Sequence, residues 1–247
     1  MAKIANKTEN KTEKARSRAR KTASSASNGR PRPARRAASA KAEAPYHHGA
    51  LREALLLAAE RVLERDGLAG LTLRVVAREA GVSHAAPTHH FGDLTGLVSE
   101  LAAIGFRQFD AAMVAARNSE THPLMKGLAN AKAYVAYALA HPGMYGIMFR
   151  TERLDYSRPS LHEAAESSFA GLAKAIGAMR QEQISGDTLT LDQAAAIARA
   201  WSMVHGFTML LLDGRLADIL ERLPKGTTSE QLLEAMLTST VAGKPPV

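Results

Sequence analysis

The sequence predicts an all-α protein, in which an N-terminal three-helix domain with a helix-turn-helix is followed by a larger helical domain. Apolar residues recur at the spacing of an amphipathic helix, for example Leu51, Leu55, Ala58 and Val62 at i, i+4, i+7 and i+11. Aromatic residues make up only 5% of the chain, whereas Ala, the strongest helix former, is abundant. We find no segment with the pattern of a strand and no internal repeat.

The first predicted domain covers residues 45–92 and begins with a helix that ends near Gly67, because Gly commonly follows the last turn of a helix. The next segment, LTLRVVAREAG, predicts a short helix with Thr72 as its N-cap. Gly81 follows at a tight turn, where a left-handed backbone is easiest for Gly. Two short helices joined by such a turn form a helix-turn-helix.

The third helix of this domain is predicted to start at His84, with Ser83 as its N-cap. Pro87 then occupies about the fourth position, where a missing N–H costs less than in the middle of a helix. His84, His89 and His90 are separated by five residues and one residue, so they do not share one helix face. Because a helical zinc pair needs the spacing i, i+4, we predict no metal site here.

The second domain is predicted over residues 93–241 and consists of helices alone. Asp93 is suited to cap a long helix that ends near Arg117. The later helices are predicted over residues 124–140, 143–149, 158–183, 191–213 and 229–241. Residues 242–247 are predicted to form a flexible C-terminus.

The positive charge of the chain is confined to its first 44 residues. They contain 13 Lys or Arg and 3 Glu, a net charge of +10, whereas the remainder of the chain has a net charge of −2. Residues 1–44 have no hydrophobic period and are predicted to be a disordered basic tail. A cationic segment of this kind can also bind phosphates.

Missing sequence features exclude several classes of protein. The chain has no Cys, which rules out disulfides and thiolate sites and fits a reducing cytoplasm. No run of 18 apolar residues and no signal peptide is present, so we expect no membrane contact. The motifs of P-loops, dinucleotide folds, serine hydrolases and metalloproteases are also missing, and we predict no enzymatic activity, no cofactor and no metal.

Residues 46–101 resemble the DNA-binding domain of the tetracycline-repressor (TetR) family. The resemblance is carried by Thr72 at the start of the second helix, by the segment AREAGVS and by the segment THHF. The segments YHHG and VSHAAP are similar to one subgroup, whose C-terminal domain contains the pattern Trp-x-x-x-His-Gly. Trp201, His205 and Gly206 match that pattern.

The resemblance implies a dimeric transcription regulator, usually a repressor, that works in the cytoplasm. Its N-terminal helix-turn-helix would bind double-stranded DNA at a palindromic operator. Its C-terminal helical domain would provide the interface of the homodimer and a pocket for a small-molecule effector. Neither the effector nor the operator sequence can be deduced from the resemblance.

The resemblance and the helix-turn-helix pattern together assign a set of DNA contacts. We expect the third helix to contact DNA through Ser83, His84, Ala85, Ala86, Thr88 and His89, and the start of the second helix through Thr72 and Arg74. A helix N-terminus favours phosphate at the second helix. The alternative for each side chain is simple exposure to solvent.

Aromatic and Met side chains of the second domain are candidates for the wall of an effector pocket. They are Tyr134, Tyr137, Met144, Tyr145, Phe149, Phe169, Trp201 and His205. Met suits an irregular, adaptable cavity. The alternative is ordinary interior packing, and for the face of the helix over residues 191–213 that carries Trp201 and His205 it is a dimer or domain core.

The chain departs from the family near the third and fourth helices. Relatives often have Tyr at Thr88 and Lys at Leu94, both of which face phosphate, and acidic residues at Thr95 and Gly96. Leu94 has neither a donor nor a charge, so the contacts to the DNA backbone are reduced. The basic segment over residues 1–44 could replace them, as N-terminal arms do in other helix-turn-helix proteins.

Two other functional classes stay open at this stage. An architectural DNA-binding protein would use the basic segment for affinity and the helical body only for dimerisation, with no effector-sized cavity and little sequence preference. An all-helical enzyme is the remaining class, for which the sequence shows no catalytic motif.

Overall fold

The computed structural model describes residues 48–149, 151–185 and 188–241, and its regular secondary structure is helical throughout. The helices are α1 (His48–Gly70), α2 (Leu73–Glu79), α3 (Ala85–Phe91), α4 (Leu94–Asn118), α5 (Pro123–Ala140), α6 (Pro142–Met148), α7 (Pro159–Arg180), α8 (Leu191–Leu212), α9 (Ala217–Glu221) and α10 (Ser229–Val241). The all-α prediction is confirmed for this part of the chain. The predicted basic tail (1–44) and flexible C-terminus (242–247) lie outside the described residues.

The Gly residues and the N-cap predicted around α1 and α2 are present in the structure. Gly67 interrupts the helical backbone of α1 with φ 68° and ψ −178°, a conformation that favours glycine. The Thr72 hydroxyl accepts a hydrogen bond from the Val75 N–H at 3.2 Å and caps α2. After α2, Gly81 turns the chain with φ 68°. Helices α2 and α3 therefore form the expected helix-turn-helix.

Helix α3 begins one residue later than predicted. The helix begins at Ala85, and its N-cap residue is His84, which makes no side-chain cap bond. Ser83 is therefore not the N-cap; its backbone carbonyl accepts a hydrogen bond from the Ala86 N–H at 3.1 Å. Pro87 is the third residue of α3. Since the first four N–H groups of a helix have no partner within it, Pro87 costs α3 no hydrogen bond.

Helix α4 is the central helix of the part of the chain that follows the helix-turn-helix. Asp93 caps it as predicted, because its carboxylate accepts a hydrogen bond from the Gly96 N–H at 2.8 Å. The helix packs against α5, α6 and α7, and its buried face includes Leu97, Leu101 and Phe109. The main hydrophobic cluster continues from α1 to α10, so the helix-turn-helix and the larger domain share one core.

Some boundaries in the second half were not predicted. Helix α7 ends at Arg180, three residues earlier than expected, because Gln181 takes the left-handed conformation with φ 55°. A 3-10 helix, Thr151–Arg153, and the five-residue α9 are additional. Both are too short to show a hydrophobic period in the sequence.

Helix α8 begins with a capping box. The Thr190 hydroxyl accepts a hydrogen bond from the Gln193 N–H at 3.2 Å, and the Gln193 side chain accepts one from the Thr190 N–H at 3.0 Å. Among the described helices, α8 alone is long and apolar enough to cross a membrane by length and composition, with a mean hydropathy of 1.3. Polar residues such as Arg199 and His205 interrupt its sequence, so it contains no unbroken apolar run of 18 residues. Only 22% of its most apolar window is buried within this chain.

Candidate nucleic-acid interface and effector cavity

Helix α3 presents most of its candidate DNA contacts to solvent. The exposed residues are Ser83, His84, Ala85, Thr88 and His89, whereas Ala86 is half-buried and packs against the core. Pro87 and Phe91 face inward and are buried. The outer face of α3 therefore consists of small and polar side chains, which permit a close approach to base edges. Among the described residues, no group of three or more His, Cys, Asp or Glu side chains could hold a metal ion.

The N-terminal end of α2 contributes Thr72 and Arg74, both exposed. Arg74 forms no ion pair within the described residues, so its guanidinium is available to a phosphate. By contrast, Arg61 and Arg65 on α1 are held by Glu79 on α2 at 3.1 and 3.2 Å. The hydrogen bond from Arg61, which has the larger effect, and that from Arg65 hold the pKa of Glu79 below its usual range.

The position of Leu94 explains one departure from the pattern of relatives. The side chain is half-buried and packs against the core instead of facing the interface. The position at which relatives often have a phosphate-facing Lys therefore belongs to the interior of this protein. Thr88, at the other departure, is exposed and keeps a hydroxyl donor on the outer face of α3.

A cavity of about 1000 Å³ lies between α4, α5, α7, α8 and α10. This volume is at the upper end of the usual range for small-molecule sites. Five of the residues selected from the sequence line the cavity, namely Tyr134, Phe149, Phe169, Trp201 and His205. The other three, Tyr137, Met144 and Tyr145, are buried in the core and lie outside the lining.

Two residues of the cavity wall, Tyr134 and His205, form a hydrogen-bonded cluster with the buried Tyr145. The Tyr145 hydroxyl donates to the Tyr134 hydroxyl at 3.2 Å, and the two hydroxyls lie 2.8 and 2.9 Å from His205 Nδ1. Because the Tyr145 hydroxyl donates its only proton to Tyr134, His205 Nδ1 is bonded in either tautomer: it accepts from the Tyr134 hydroxyl, or it donates to the Tyr145 oxygen. Burial lowers the pKa of His205 and raises that of Tyr134, so both are neutral at pH 7.

Aromatic rings surround His205. The Phe149 ring centroid lies 4.8 Å from that of His205, and the Trp201 centroid lies 6.3 Å from it. Trp201 is 40% exposed and is the only Trp of the chain. Trp201 and His205 are one helical turn apart on α8, and both line the cavity. Nε2 of His205 has no hydrogen-bond partner among the described residues, so this nitrogen is available to a ligand.

Several polar residues of the cavity wall were not predicted from the sequence, among them Asp110, Arg117 and Asn130. Asp110 on α4 is half-buried and forms no hydrogen bond or ion pair within the described residues. Arg117 donates to the Asn130 side-chain oxygen at 2.8 Å. A signal was available, since Asp110 lies four residues after Phe106 and three before Met113, on the same face of a predicted helix.

One side of α8 is exposed and largely apolar. This α8 outer face consists of Ala195, Ala198, Ser202, Met209 and Leu210, with one charge at Arg199. Met209 is 40% exposed and Leu210 is 43% exposed. The spacing of these residues places them on one side of the helix. An apolar face of this kind is typical of a surface that is covered by another molecule.

Two family models match the chain. Residues 55–101 match a model described as bacterial regulatory proteins, tetR family. Residues 128–239 match a model described as tetracyclin repressor-like, C-terminal domain. The two matches cover the helix-turn-helix and most of the helices that surround the cavity. No curated protein is similar enough to this chain to count as a match.

Solved structures are similar over nearly their whole length. A protein with unknown function from Rhodococcus sp. RHA1 is 34% identical, with 81% of this chain and 98% of that chain covered and a TM-score of 0.65. The TetR family transcriptional regulator PfmR from Thermus thermophilus is 17% identical, with coverages of 78% and 99% and a TM-score of 0.54. A bacterial regulatory protein in the tetR family from Rhodococcus RHA1 is 16% identical, with coverages of 78% and 95% and a TM-score of 0.52. The last two likenesses support the fold alone.

Proposed function

The chain belongs to the tetracycline-repressor (TetR) family, and from this premise we propose that it is a repressor that a small-molecule effector releases from DNA. Its activity as a DNA-binding transcriptional regulator follows from the family. Repression and release by a ligand are the family norm, and we extend them to this protein. The observation that carries the extension is the cavity of about 1000 Å³ between α4, α5, α7, α8 and α10.

We place the DNA-binding domain at residues 45–92 and the effector-binding and dimerisation domain at residues 93–241. In this arrangement α3 is the recognition helix and enters the major groove with its exposed outer face. His84, Thr88 and His89 are the polar side chains on that face which can bond to base edges. Thr72, Arg74 and Ser83 lie where they would contact phosphates.

We further propose that the protein acts as a homodimer through α8 and α10. The support is the exposed apolar α8 outer face, which a second copy would cover in a four-helix interface. Helix α8 is strongly apolar, yet only 22% of its most apolar window is buried within one chain. A dimer would bury more of this helix. A two-fold dimer presents two recognition helices and therefore suits a palindromic operator.

The wall of the cavity suggests the chemistry of the effector. The mostly apolar lining favours an apolar body. Nε2 of His205 would form a hydrogen bond with a group that can both donate and accept, such as a hydroxyl. The unpaired Asp110 carboxylate would accept a hydrogen bond from a donor or cationic group. We propose an apolar effector that carries both kinds of polar group.

Two other classes are less well supported. The family consists of regulators and not of enzymes, and we propose that this chain has no catalytic activity, needs no cofactor and works in the cytoplasm without a membrane partner. A purely architectural DNA-binding protein would have no use for a cavity of about 1000 Å³. The cavity therefore favours an effector-controlled regulator.

The single Trp provides a direct test of effector control, because Trp201 lines the cavity. A panel of small aromatic compounds is screened by the emission of Trp201, and the affinity for operator DNA, obtained by selection from random DNA, is then measured with each bound compound. We expect bound compounds to weaken operator binding by about ten-fold or more, the range of ordinary allosteric coupling. Compounds that change Trp201 emission but leave the DNA affinity unchanged across the panel would contradict the proposal.

A further inference from the structure

An Arg at the start of α7 holds the end of the recognition helix. Arg158 is the residue immediately before α7, and its Nη2 donates to the backbone carbonyl of Phe91 at 2.8 Å. Phe91 is the last residue of α3. The last carbonyls of a helix have no partner within it and carry partial negative charge, so a guanidinium is a suitable partner.

Glu100 on α4 orients the Arg158 side chain. Its Oε1 lies 3.6 Å from Arg158 Nη1 and accepts a hydrogen bond from the Ser160 hydroxyl at 2.9 Å. Its Oε2 lies 2.5 Å from Arg52 Nη2 on α1. Arg158 Nε is buried and has no hydrogen-bond partner among the described residues. Nε also lies 3.6 Å from Asp155 Oδ2, so the guanidinium is held between two carboxylates and the Phe91 carbonyl.

Gly96 provides the space in which Arg158 reaches α3. A Cβ at Gly96 would lie far inside van der Waals contact with both the Phe91 carbonyl oxygen and Arg158 Nη2. Relatives often have an acidic residue at this position, which could not fit beside these two groups. The departure at Gly96 is therefore explained by the contact between Arg158 and Phe91.

The same helix that begins at Arg158 forms one wall of the cavity. Ala165, Ser168 and Phe169 on α7 line the cavity, about two to three helical turns beyond Arg158. A helix of 22 residues that packs along α4 moves largely as one body. A molecule that pushes α7 outward would therefore also displace the guanidinium from the Phe91 carbonyl.

We propose that Arg158 is a positioning residue through which the α7 wall of the cavity sets the orientation of the recognition helix α3. The inference rests on the proposed function, since it names the route by which an effector acts on DNA binding. An occupied cavity shifts α7, the Arg158–Phe91 contact is lost, and α3 no longer fits the major groove. Gly96 is required because only a residue without a Cβ allows this contact.

A double-mutant cycle tests the route without knowledge of the effector. Ser168→Phe places a ring in the cavity, and Ser167→Phe, at the exposed neighbouring residue outside the lining, is its control. Each change is made in the parent protein, in Arg158→Met and in Arg158→Lys, and affinity for selected operator DNA is measured. Arg52→Met is a matched background, because Arg52 also pairs with Glu100 and lies 5.6 Å from the centre of the Phe91 ring, but belongs to α1 and not to α7. Thermal unfolding confirms that each variant is folded.

We expect Ser168→Phe to weaken operator binding by about ten-fold in the parent and Arg52→Met backgrounds, but by less than about two-fold in Arg158→Met. Arg158→Lys, which keeps a cationic donor, should restore part of the response. A purely structural role of Arg158 would lower stability without changing the response. Equal weakening by Ser168→Phe with and without Arg158 would overturn the role of Arg158 and leave effector control intact. No effect of Ser168→Phe in the parent protein would overturn effector control as well.

Discussion

Two histidines on the outer face of α3 are chemically suited to base edges. His84 and His89 are both exposed, whereas the adjacent His90 is half-buried. A neutral imidazole carries one donor and one acceptor, so it can bond to the pattern that a base pair presents in the major groove. Charge is not needed for such contacts, which suits a recognition helix without Lys or Arg.

Replacing both His84 and His89 by Ala should weaken binding to the selected operator by about thirty-fold or more, since two base contacts of about 1–3 kcal/mol each sum to at least about 2 kcal/mol. Binding to random DNA should change by less than about two-fold, because phosphate contacts carry no sequence information. Fluorescence anisotropy at one fixed salt concentration measures both affinities. His162→Ala, at an exposed His on α7, is the control. Equal losses on the two DNAs would show that these histidines do not recognise bases.

The cavity residue His205 should make stability depend on pH. Burial lowers its pKa in the folded protein below the ordinary value of 6.5, so the unfolded chain binds the proton more readily. The contribution of neutral His205 is therefore complete above about pH 6.5 and is lost as pH falls through the lower folded pKa. Thermal unfolding of the parent and of His205→Gln between pH 5 and 7.5 should show that acid lowers the Tm of the parent more. A Tm difference that is constant with pH would contradict this.

At the scale of helices, the sequence predicts boundaries that depend on local bonds and misses those that depend on neighbours. The caps at Thr72 and Asp93 bond to N–H groups three residues away, and both were predicted. The orientation of α5 was not predicted. Tyr134 and Tyr137 are three residues apart, yet only Tyr134 lines the cavity, while the Tyr137 hydroxyl donates to the Gly105 carbonyl of α4 at 3.2 Å. Which ring faces the cavity depends on how α5 packs against α4 and α8, and no local pattern encodes that packing.

The residues of the candidate site also fall into two groups, those with a signal in the sequence and those without one. Trp201 and His205 were singled out by the pattern Trp-x-x-x-His-Gly, whereas Asp110, Arg117 and Asn130 were not, because charged and amide residues on a helix are usually solvated. The role of Arg158 depends on a contact between residues 67 positions apart. The sequence contained only an indirect sign of it, the Gly in place of an acidic residue at position 96.

The α8 outer face carries the prediction about assembly. Leu210→Asp should disrupt the homodimer, because the interface would bury an unpaired carboxylate at a cost of several kcal/mol. The neighbouring residue Leu211 is half-buried against the core, so Leu211→Asp would also disturb the fold. Leu210→Asp is therefore the clearer test of the interface. Leu57→Asp, at a residue of α1 that is 51% exposed, is the matched control. Sedimentation should show a folded monomer for Leu210→Asp and a dimer for the control; a stable Leu210→Asp dimer would place the interface elsewhere.

At the scale of the whole molecule, the uneven charge predicts how affinity responds to salt. Residues 1–44 have a net charge of +10, the rest of the chain has −2, and Leu94 contributes no phosphate contact. Deleting residues 1–44 should reduce the slope of log affinity against log salt by roughly three to six. It should weaken binding to operator DNA and to random DNA by similar factors. Titrations at several salt concentrations with both DNAs measure this. Parallel plots for the two proteins would mean that residues 1–44 take no part in binding.

Selection of binding sites from random double-stranded DNA, with the full chain and without residues 1–44, tests the central claim most directly. A dimeric regulator with α3 as its recognition helix should enrich one palindrome from both proteins. The centres of its half-sites should lie about 34–36 Å apart, or at a multiple of that distance, so that both copies of α3 enter major grooves on one side of the duplex. Enrichment of a single half-site, or of no motif at all, would contradict a dimeric sequence-specific regulator and would instead favour an architectural DNA-binding protein.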